Sequence, residues 1–434
     1  MLYSQPQYDI ICKGEIMIKI ITKNEFESKI NDFDIIFTDQ KLNNKKEILI
    51  KTSKDLYHNL NKVTKDNNVA LIMMNKNQRN ECYQLLYFYQ NYLSKINIFK
   101  EKINEINNTF HKEHDSRYAY DAIEKLKYMN CDGKFLRAFL ITVGYELKHE
   151  NIDYIIPLAI AYETFQTSIL IHDDIIDDAN TRRGKKTIPE LYKKQLNVNN
   201  SVPSSLAMCI GDLGFYLTNE IIFNYYRNDK KLVKYLEYLN KIIINTIKGE
   251  IADVYLPAKE TFEGEKKFTE LEIMEIARLK TSWYTVVGPF CLGAIAAGAK
   301  DEKIEKYEYY LEPMGMAFQI RDDILGIYGN SNKTGKPNTS DIKEKKLTLM
   351  YSYLRTIKTE YFKEFAKYYG KEDVTEKEVE KIREIIKESG ALEYAESFVE
   401  ELLKITKDEV VKYKNKHIKD ILIGLMVYIK LREK

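Results

Sequence analysis

An apolar run that ends in acid constrains this chain more than any other feature. Residues 154–171 carry few charges and read as one buried helix. At its end stand His172, Asp173, Asp174, Ile175, Ile176, Asp177 and Asp178, so four carboxylates fall within six residues. Arg182, Arg183 and Gly184 follow soon after. On a helix Asp173 and Asp177 are four apart and share a face. Like charges at that spacing repel, so they weaken the helix if stability is their only purpose. A cluster of carboxylate oxygens is what a hard divalent cation requires, and Mg2+ in particular takes one or two carboxylates plus substrate phosphates. A solvated acidic helix end is the plainer alternative. An EF-hand loop does not fit, because its alternating Asp pattern and central Gly are missing.

Composition narrows the choice. The 434 residues, 44% hydrophobic and 30% charged, suit a soluble globular chain of two or three domains, or one large helical domain with an extension. A net charge of +2 gives no case for nucleic acid as the main partner, so a phosphate site must come from local arrangement. Cys12, Cys82, Cys131, Cys209 and Cys291 are scattered and form no CxxC pair. That argues against a zinc site and a disulfide framework, and it fits a reducing, cytoplasmic setting. No signal peptide is read at the start. Residues 282–299 are uncharged and reach the length of a membrane span. With Gly288, Pro289, Gly293 and Gly298 among them, they read as a helix buried in a large all-α core, and no membrane span is expected.

Along the chain, residues 1–98 read as a small α/β domain. Strands are expected at 16–22, 34–38, 47–51 and 69–74, with a helix capped by Ser53 and a second at 79–94. The domain has neither a GxGxxG nor a Walker loop, and the sequence assigns it no activity. Residues 99–434 read as helical almost throughout. Eight prolines in the whole chain permit long helices. Longer linkers are expected only at 180–201, 257–267 and 329–341. The Lys- and Glu-rich tail reads as amphipathic helices closing the bundle, with Phe398, Leu402 and Leu403, then Ile421, Ile423 and Leu425, on its apolar faces.

A second acid pair, Asp322 and Asp323, follows Phe318 and Gln319 at the end of another apolar helix, with Gly326 beyond it. Two such pairs on inward-facing helices could meet across a central cavity, where diphosphate held through Mg2+ would balance their charge. Cations stand in suitable places: Lys134 and Arg137 three apart, Arg182 and Arg183 after the first acids, Lys280 before Thr281, Lys336 after Gly335, and Lys346 before Thr348. Guanidinium and ammonium groups suit diphosphate oxygens. Taken singly, each is an ordinary surface cation; their joint order carries the signal.

That order resembles the trans-isoprenyl diphosphate synthases of the polyprenyl synthetase family over roughly three quarters of the chain. The matching pieces run Gly133-Lys134-x-x-Arg137, the first acidic motif with Arg182-Arg183-Gly184, Gly211-Asp212, Gly249-Glu250-x-x-Asp253, Lys280-Thr281, Phe318-Gln319-x-x-Asp322-Asp323, Gly335-Lys336 and Lys346-x-Thr348. The resemblance implies an all-α isoprenoid-synthase bundle around a central cavity, with the small N-terminal α/β extension outside it. It implies a homodimer, and Mg2+ as cofactor, three ions with bound diphosphate. Asp173 and Asp177 would ligate Mg2+ on the allylic diphosphate, with Asp174 in support, and Asp322, beside Asp323, would bind a further ion from the opposite side. Arg182, Lys280, Thr281, Gln319, Lys336 and Lys346 would hold the allylic diphosphate. Lys134, Arg137, Gln166 and Arg183 would hold isopentenyl diphosphate. Three positions depart from the family: Gly326 stands where a third Asp is frequent, Lys345 where Gly is usual, and Ala138 where Pro is usual.

The implied chemistry is ionisation of the allylic diphosphate, attack by the isopentenyl double bond, and proton loss to the released diphosphate. No protein base is needed, which fits the lack of a nucleophile–His pair; His172 reads as a packing residue. Product length would be set below the first motif, at Phe165, Ser168 and Ile169. Ser168 and Ile169 are not aromatic, so Phe165, one turn deeper, is the expected floor, with a C20 product favoured and C15 or C25 open. A class I terpene cyclase and a non-catalytic regulatory subunit of a prenyl synthase are the alternatives. The first usually has an Asn/Ser/Glu metal triad in place of Asp322 and Asp323, and the second tends to lose one acidic motif.

Overall fold

The computed structural model describes residues 18–20, 35–38, 47–63, 69–72, 76–113, 116–131, 133–263, 269–329 and 340–432. It divides into two compact units, residues 1–97 together with 407–432, and residues 98–406.

The first unit holds four short strands, β1 (Ile18–Ile20), β2 (Ile35–Thr38), β3 (Glu47–Leu49) and β4 (Val69–Ile72). They pair in parallel in the order β1-β4-β2-β3. The helix Ser53–Asn59 is capped by Thr52, not Ser53. Thr52 Oγ1 accepts from the Asp55 N–H (3.2 Å) and Asp55 Oδ2 accepts from the Thr52 N–H (3.0 Å), a capping box that leaves Ser53 already helical. The helix expected at 79–94 is part of a longer one, Lys76–Glu113, which contains no proline or glycine to stop it. Phe37, Leu56, Val69, Leu71, Cys82 and Leu85 form the core of this unit.

One element moves between units relative to the sequence reading. The last helix, Lys416–Leu431, was expected to close the bundle within 99–434, but it completes the core of the first unit. Val427, Tyr428 and Leu431 pack into that core, and the Tyr428 ring lies 5.4 Å from Phe88 and 5.8 Å from Tyr57. Its apolar residues call for burial without specifying against what.

The second unit is an all-α bundle. Helix Ile156–Ile176 is buried from Ile156 to Ser168, and Pro157 sits in its first turn, where no N–H is needed. It packs along Val202–Tyr226. That second helix is long and apolar enough to cross a membrane by length and composition, with 44% of its most apolar window buried. The uncharged stretch 282–299 is buried from Ser282 to Ala297, as its composition suggested. Two expected linkers are instead structured over their described residues, which leave out 264–267. Helix Leu232–Glu263 runs on through Pro257, and 180–201 contains a hairpin, β5 (Thr181–Arg182) with β6 (Lys185–Lys186), and a helix, Ile188–Leu196. Residues Ala277–Val287 wind as a π-helix between Glu270–Ile276 and Gly288–Ala296. Ser282 and Trp283 fasten it to helix Asp301–Tyr328: Ser282 Oγ donates to the Glu312 carbonyl (2.7 Å), and Trp283 Nε1 donates to Glu312 Oε2 (3.0 Å).

Candidate active site

The first acids are held by the way their helix ends. The Ala179 N–H reaches the Asp174 carbonyl (2.9 Å) and the Asp178 N–H reaches the Ile175 carbonyl (3.4 Å), with Asp178 at φ +45°. This is a Schellman stop with a left-handed residue, a position open to short polar side chains as well as Gly. It gives Asp178 a backbone role that the sequence left unassigned. The β5–β6 hairpin follows, with Arg183 (φ +55°) and Gly184 (φ +75°) at its tip, the positive pair a two-residue type I′ turn needs. The hairpin folds Arg182 back over the helix end. Its Nε donates to Asp174 Oδ1 and its Nη2 to Asp173 Oδ2, each at 2.5 Å. Burial works against the guanidinium charge, but Asp173, Asp174 and Asp177 outweigh it and raise its pKa.

A second cation joins this acidic wall to a neighbouring helix. Lys280 Nζ lies 2.6 Å from Asp253 Oδ2, 3.0 Å from Glu250 Oε1 and 3.8 Å from Asp173 Oδ1. Burial disfavours its charge, yet Asp253, Asp173 and Glu250 together push its pKa up. Glu250 moves up as well, chiefly by burial and despite Lys280, with Asp173 and Asp253 adding to the rise. This contact needs a glycine. A Cβ on Gly249 would stand 2.2 Å from the Lys280 backbone nitrogen, so only a bare Cα lets Leu232–Glu263 meet the π-helix here.

The same π-helix reaches the second acid pair. Thr281 Oγ1 donates to Gln319 Oε1, and Gln319 Nε2 donates to Asp323 Oδ1 (2.7 Å). Lys346 Nζ is 3.4 Å from Asp323 Oδ1. Burial lifts the Asp323 carboxyl to about 7, against the pull of Lys346. Lys346 is itself driven upward: burial opposes its charge, and Asp341, Asp323, Asp253 and Asp177 overcome that opposition. Lys346 therefore feels acids from both sequence clusters, 149 residues apart in the chain by Asp173 and Asp322. Asp322 lies half-buried beside them. Lys345 adopts φ +53°, which explains the glycine usual there; the left-handed turn costs a residue with a Cβ roughly 1–2 kcal/mol.

A third group forms around Arg137. Its guanidinium stacks 3.9 Å over the Tyr284 ring and donates to Thr285 Oγ1 (2.7 Å). With the Gln166 amide oriented to suit its neighbours, its nitrogen donates to Glu163 Oε2 and its oxygen accepts from Arg137, both at 2.9 Å. Glu163 is fully buried, which raises its pKa, while the Ala138 N–H and the Arg137 and Arg183 charges pull it back. The Ala138 N–H reaches Glu163 Oε1 at 2.9 Å. A proline at 138 has no N–H to give, so this departure from the family pattern has a use here. Burial lowers the Arg183 pKa and Glu163 resists that fall. Neighbouring positions on the hairpin thus send Arg182 to the acids and Arg183 toward Glu163 and Arg137. Lys134 is exposed just before helix Leu136–Tyr145.

The three chain-length candidates part company. Ser168 is buried against Val202–Tyr226, its Oγ 2.2 Å from where a Gly214 Cβ would be. Ile169 is half-buried on the stripe that carries Gln166 and Asp173. Phe165 is fully buried in an aromatic knot, edge-on to Tyr162 (5.3 Å) and Tyr284 (5.8 Å) and 5.9 Å from Phe215. Phe215 also touches His172, whose Nε2 lies 3.2 Å from the Met208 carbonyl oxygen and 3.4 Å from Asp212. Gly335 and Lys336 lie outside the described residues.

Sequence reasoning missed Glu163, Tyr284, Asp341 and Phe215, and it quoted Glu250 and Asp253 without giving them a task. Glu163 did leave a signal: a single acid inside an otherwise apolar run, three residues before Gln166. Among the described residues no three acidic, His or Cys side chains converge to hold an ion by themselves. The oxygens come instead as pairs on two helices with cations between them. That donor set fits a hard cation such as Mg2+ that shares its shell with phosphate.

Comparison with known proteins gives the arrangement a family context. The polyprenyl synthetase model matches residues 121–386. A short chain isoprenyl diphosphate synthase of Methanocaldococcus jannaschii is 30% identical over 300 residues, 68% of this chain and 83% of that one. The crystal structure of a geranylgeranyl pyrophosphate synthetase from Pyrococcus horikoshii superposes with a TM-score of 0.64 at 26% identity, covering 79% of this chain and 99% of that one. A geranylgeranyl pyrophosphate synthase from Corynebacterium glutamicum, solved with isoprenyl diphosphate and magnesium, shares the fold at a TM-score of 0.70 and 23% identity, over 78% of this chain and 99% of that one.

Proposed function

The chain is a trans-isoprenyl diphosphate synthase, a member of the polyprenyl synthetase family, and on that premise we propose that it condenses isopentenyl diphosphate with an allylic diphosphate to give a medium-chain all-trans polyprenyl diphosphate, C20 favoured. The observation that carries this reading is the alternation of acids and cations. Arg182 and Lys280 are bonded to the first acid cluster and Lys346 to the second, and Lys280 and Lys346 both feel Asp253.

In this reading Asp173 and Asp177, with Asp174 in support, and Asp322 on the opposite side hold Mg2+, three ions in all with the diphosphate. Bound there, Mg2+ would neutralise the charge that develops on the departing diphosphate. Arg182, Lys280, Thr281, Gln319, Lys346 and Lys336 hold that diphosphate, and their fixed positions spare the reaction the cost of reorganising solvent. Lys134, Arg137, Gln166 and Arg183 hold isopentenyl diphosphate, and Glu163 keeps Gln166 and Arg137 turned toward it. As the allylic carbon–oxygen bond breaks, the isopentenyl double bond attacks that carbon. A carbon–carbon bond forms, and the proton passes to the released diphosphate, so no side chain acts as base. The working unit is a homodimer.

Product length is set by Phe165 with its neighbour Phe215, flanked by Ile169, while Ser168 contributes packing. The full chain incubated with isopentenyl diphosphate, Mg2+ and each allylic primer should yield elongated products centred on C20. Phe165→Ala should lengthen them by about one isoprene unit, since one helical turn rises about 5.4 Å, and Phe165→Leu controls for lost packing. No elongation with any primer from folded protein overturns the enzymatic reading. An unchanged product distribution in Phe165→Ala overturns the floor alone.

A further inference from the structure

Lys346 is rooted in a turn that a distant tyrosine clasps. The turn joins the short helix Ser340–Lys343 to helix Leu349–Thr356. Thr348 caps the second helix, its Oγ1 accepting from the Tyr351 N–H (3.2 Å). Both polar groups of the Lys346 backbone are engaged. Its N–H donates to the Asp341 carbonyl (3.0 Å), and its carbonyl accepts from the Tyr369 hydroxyl (2.8 Å), 23 residues further on. Beside that tyrosine the Gly370 N–H donates to the Ile342 carbonyl (2.8 Å). Gly370 has φ +91°, and a Cβ there would lie 3.2 Å from Cβ, Cγ and Cδ of Lys345, so a bare Cα lets the two turns meet. Tyr369 is itself firmly seated. It is buried, its ring stacks on Phe365 at 4.5 Å, and the Tyr351 ring lies 5.6 Å away. Burial, with Asp341 and Asp323 nearby, pushes its hydroxyl pKa up against the pull of Lys346, so the hydroxyl keeps its proton and serves as a donor.

We propose that Tyr369 is a positioning residue for prenyl transfer: by bonding the Lys346 carbonyl it fixes the direction in which that lysine leaves the backbone, and so the place of its ammonium group beside Asp323. The inference rests on the prenyl-transfer reading, in which Lys346 holds the allylic diphosphate. The hydroxyl is not what holds this region together. The stack on Phe365 and the bond from Gly370 to Ile342 remain without it. What it adds is one bond, aimed at the peptide that carries Lys346. A lysine chain is long and flexible, so a loose root spreads the position of its ammonium group. A charge held out of place then stabilises the departing diphosphate less. Tyr369 acts only through Lys346.

The test compares Tyr369→Phe with the wild-type full chain in two measurements. One is Mg2+-dependent binding of inorganic pyrophosphate by calorimetry. The other is steady-state elongation, with KM taken separately for the allylic primer and for isopentenyl diphosphate. Tyr369→Phe keeps the ring and removes the one bond. It should weaken pyrophosphate binding and raise the primer KM, each by roughly three- to tenfold, while the KM for isopentenyl diphosphate stays at the wild-type value. A tyrosine with a merely structural role would not divide the two substrates. In a Lys346→Ala background the same substitution should weaken pyrophosphate binding no further, because the residue it acts through is gone. Gly370→Ala disturbs the clasp from its other side, should show the same primer-selective loss, and decides if Tyr369→Phe does not fold. Wild-type binding and primer KM in Tyr369→Phe overturn the proposal. So do an equal rise in both KM values, a full further loss on top of Lys346→Ala, and failure of both clasp variants to fold. Wild-type protein that elongates no primer overturns the reading of the site and this inference with it, whereas normal wild-type elongation and an unaffected Tyr369→Phe overturn the inference only.

Discussion

Lys280→Ala is expected to reduce turnover by roughly 10²–10³-fold and to destabilise the folded chain by about 3–5 kcal/mol. Both effects follow from one position. The ammonium group meets Asp253, Glu250 and Asp173 at once, and its side chain is only 20% exposed. Without it Asp253 and Glu250 lose the cation they share, Asp173 is left with Arg182, and the Glu250 carboxyl, already raised by burial, rises further above its unfolded value. A carboxylate shifted upward penalises folding at neutral pH, and the penalty fades as pH falls and the group takes up a proton. The stability loss should therefore be larger at pH 7 than at pH 5 in urea unfolding. Lys280→Arg retains the charge and should regain most of the stability and less of the activity, because a planar fork cannot reproduce three divergent contacts. Equal unfolding curves for wild type and Lys280→Ala would contradict the claim that the lysine joins the two helices.

Gly249→Ala tests the same junction by a change of sign. In an exposed helix interior this substitution stabilises by roughly 1 kcal/mol. Here the added methyl would lie 2.2 Å from the Lys280 nitrogen and 2.6 Å from its Cα, both backbone atoms that cannot swing aside. The helices must separate, at about 1–3 kcal/mol or more, and Lys280 moves away from Asp173. Urea unfolding should show destabilisation and assays should show lost turnover together. A stabilised variant would mean that the close approach is unimportant.

The elements visible in the sequence were those fixed by local pattern. The apolar run before Asp173 predicts a buried helix, and Ile156–Ile176 is one. The order of acids and cations led to the polyprenyl synthetase family, whose model matches the chain. What stayed hidden depends on contacts between distant segments. The π-helix at Ala277–Val287 has no periodic signature, because its winding answers to the helices packed on it. Amphipathicity said that Lys416–Leu431 buries one side, but only tertiary structure assigns that side to the first unit. The three departures from the family pattern read as neutral or as small losses in one dimension. In three dimensions Ala138 gives its N–H to Glu163, Lys345 turns left-handed, and Gly326 makes room for Asp341. Each is half of a pair whose other half lies far along the chain or in the backbone angles.

The most direct test of the central claim counts diphosphate against carbon–carbon bonds. With isopentenyl diphosphate, an allylic primer and Mg2+, the account predicts one pyrophosphate released for each isoprene unit added, with neither event when Mg2+ is chelated. Pyrophosphate released from the allylic primer without elongation, or no release from folded protein with any primer, would contradict it.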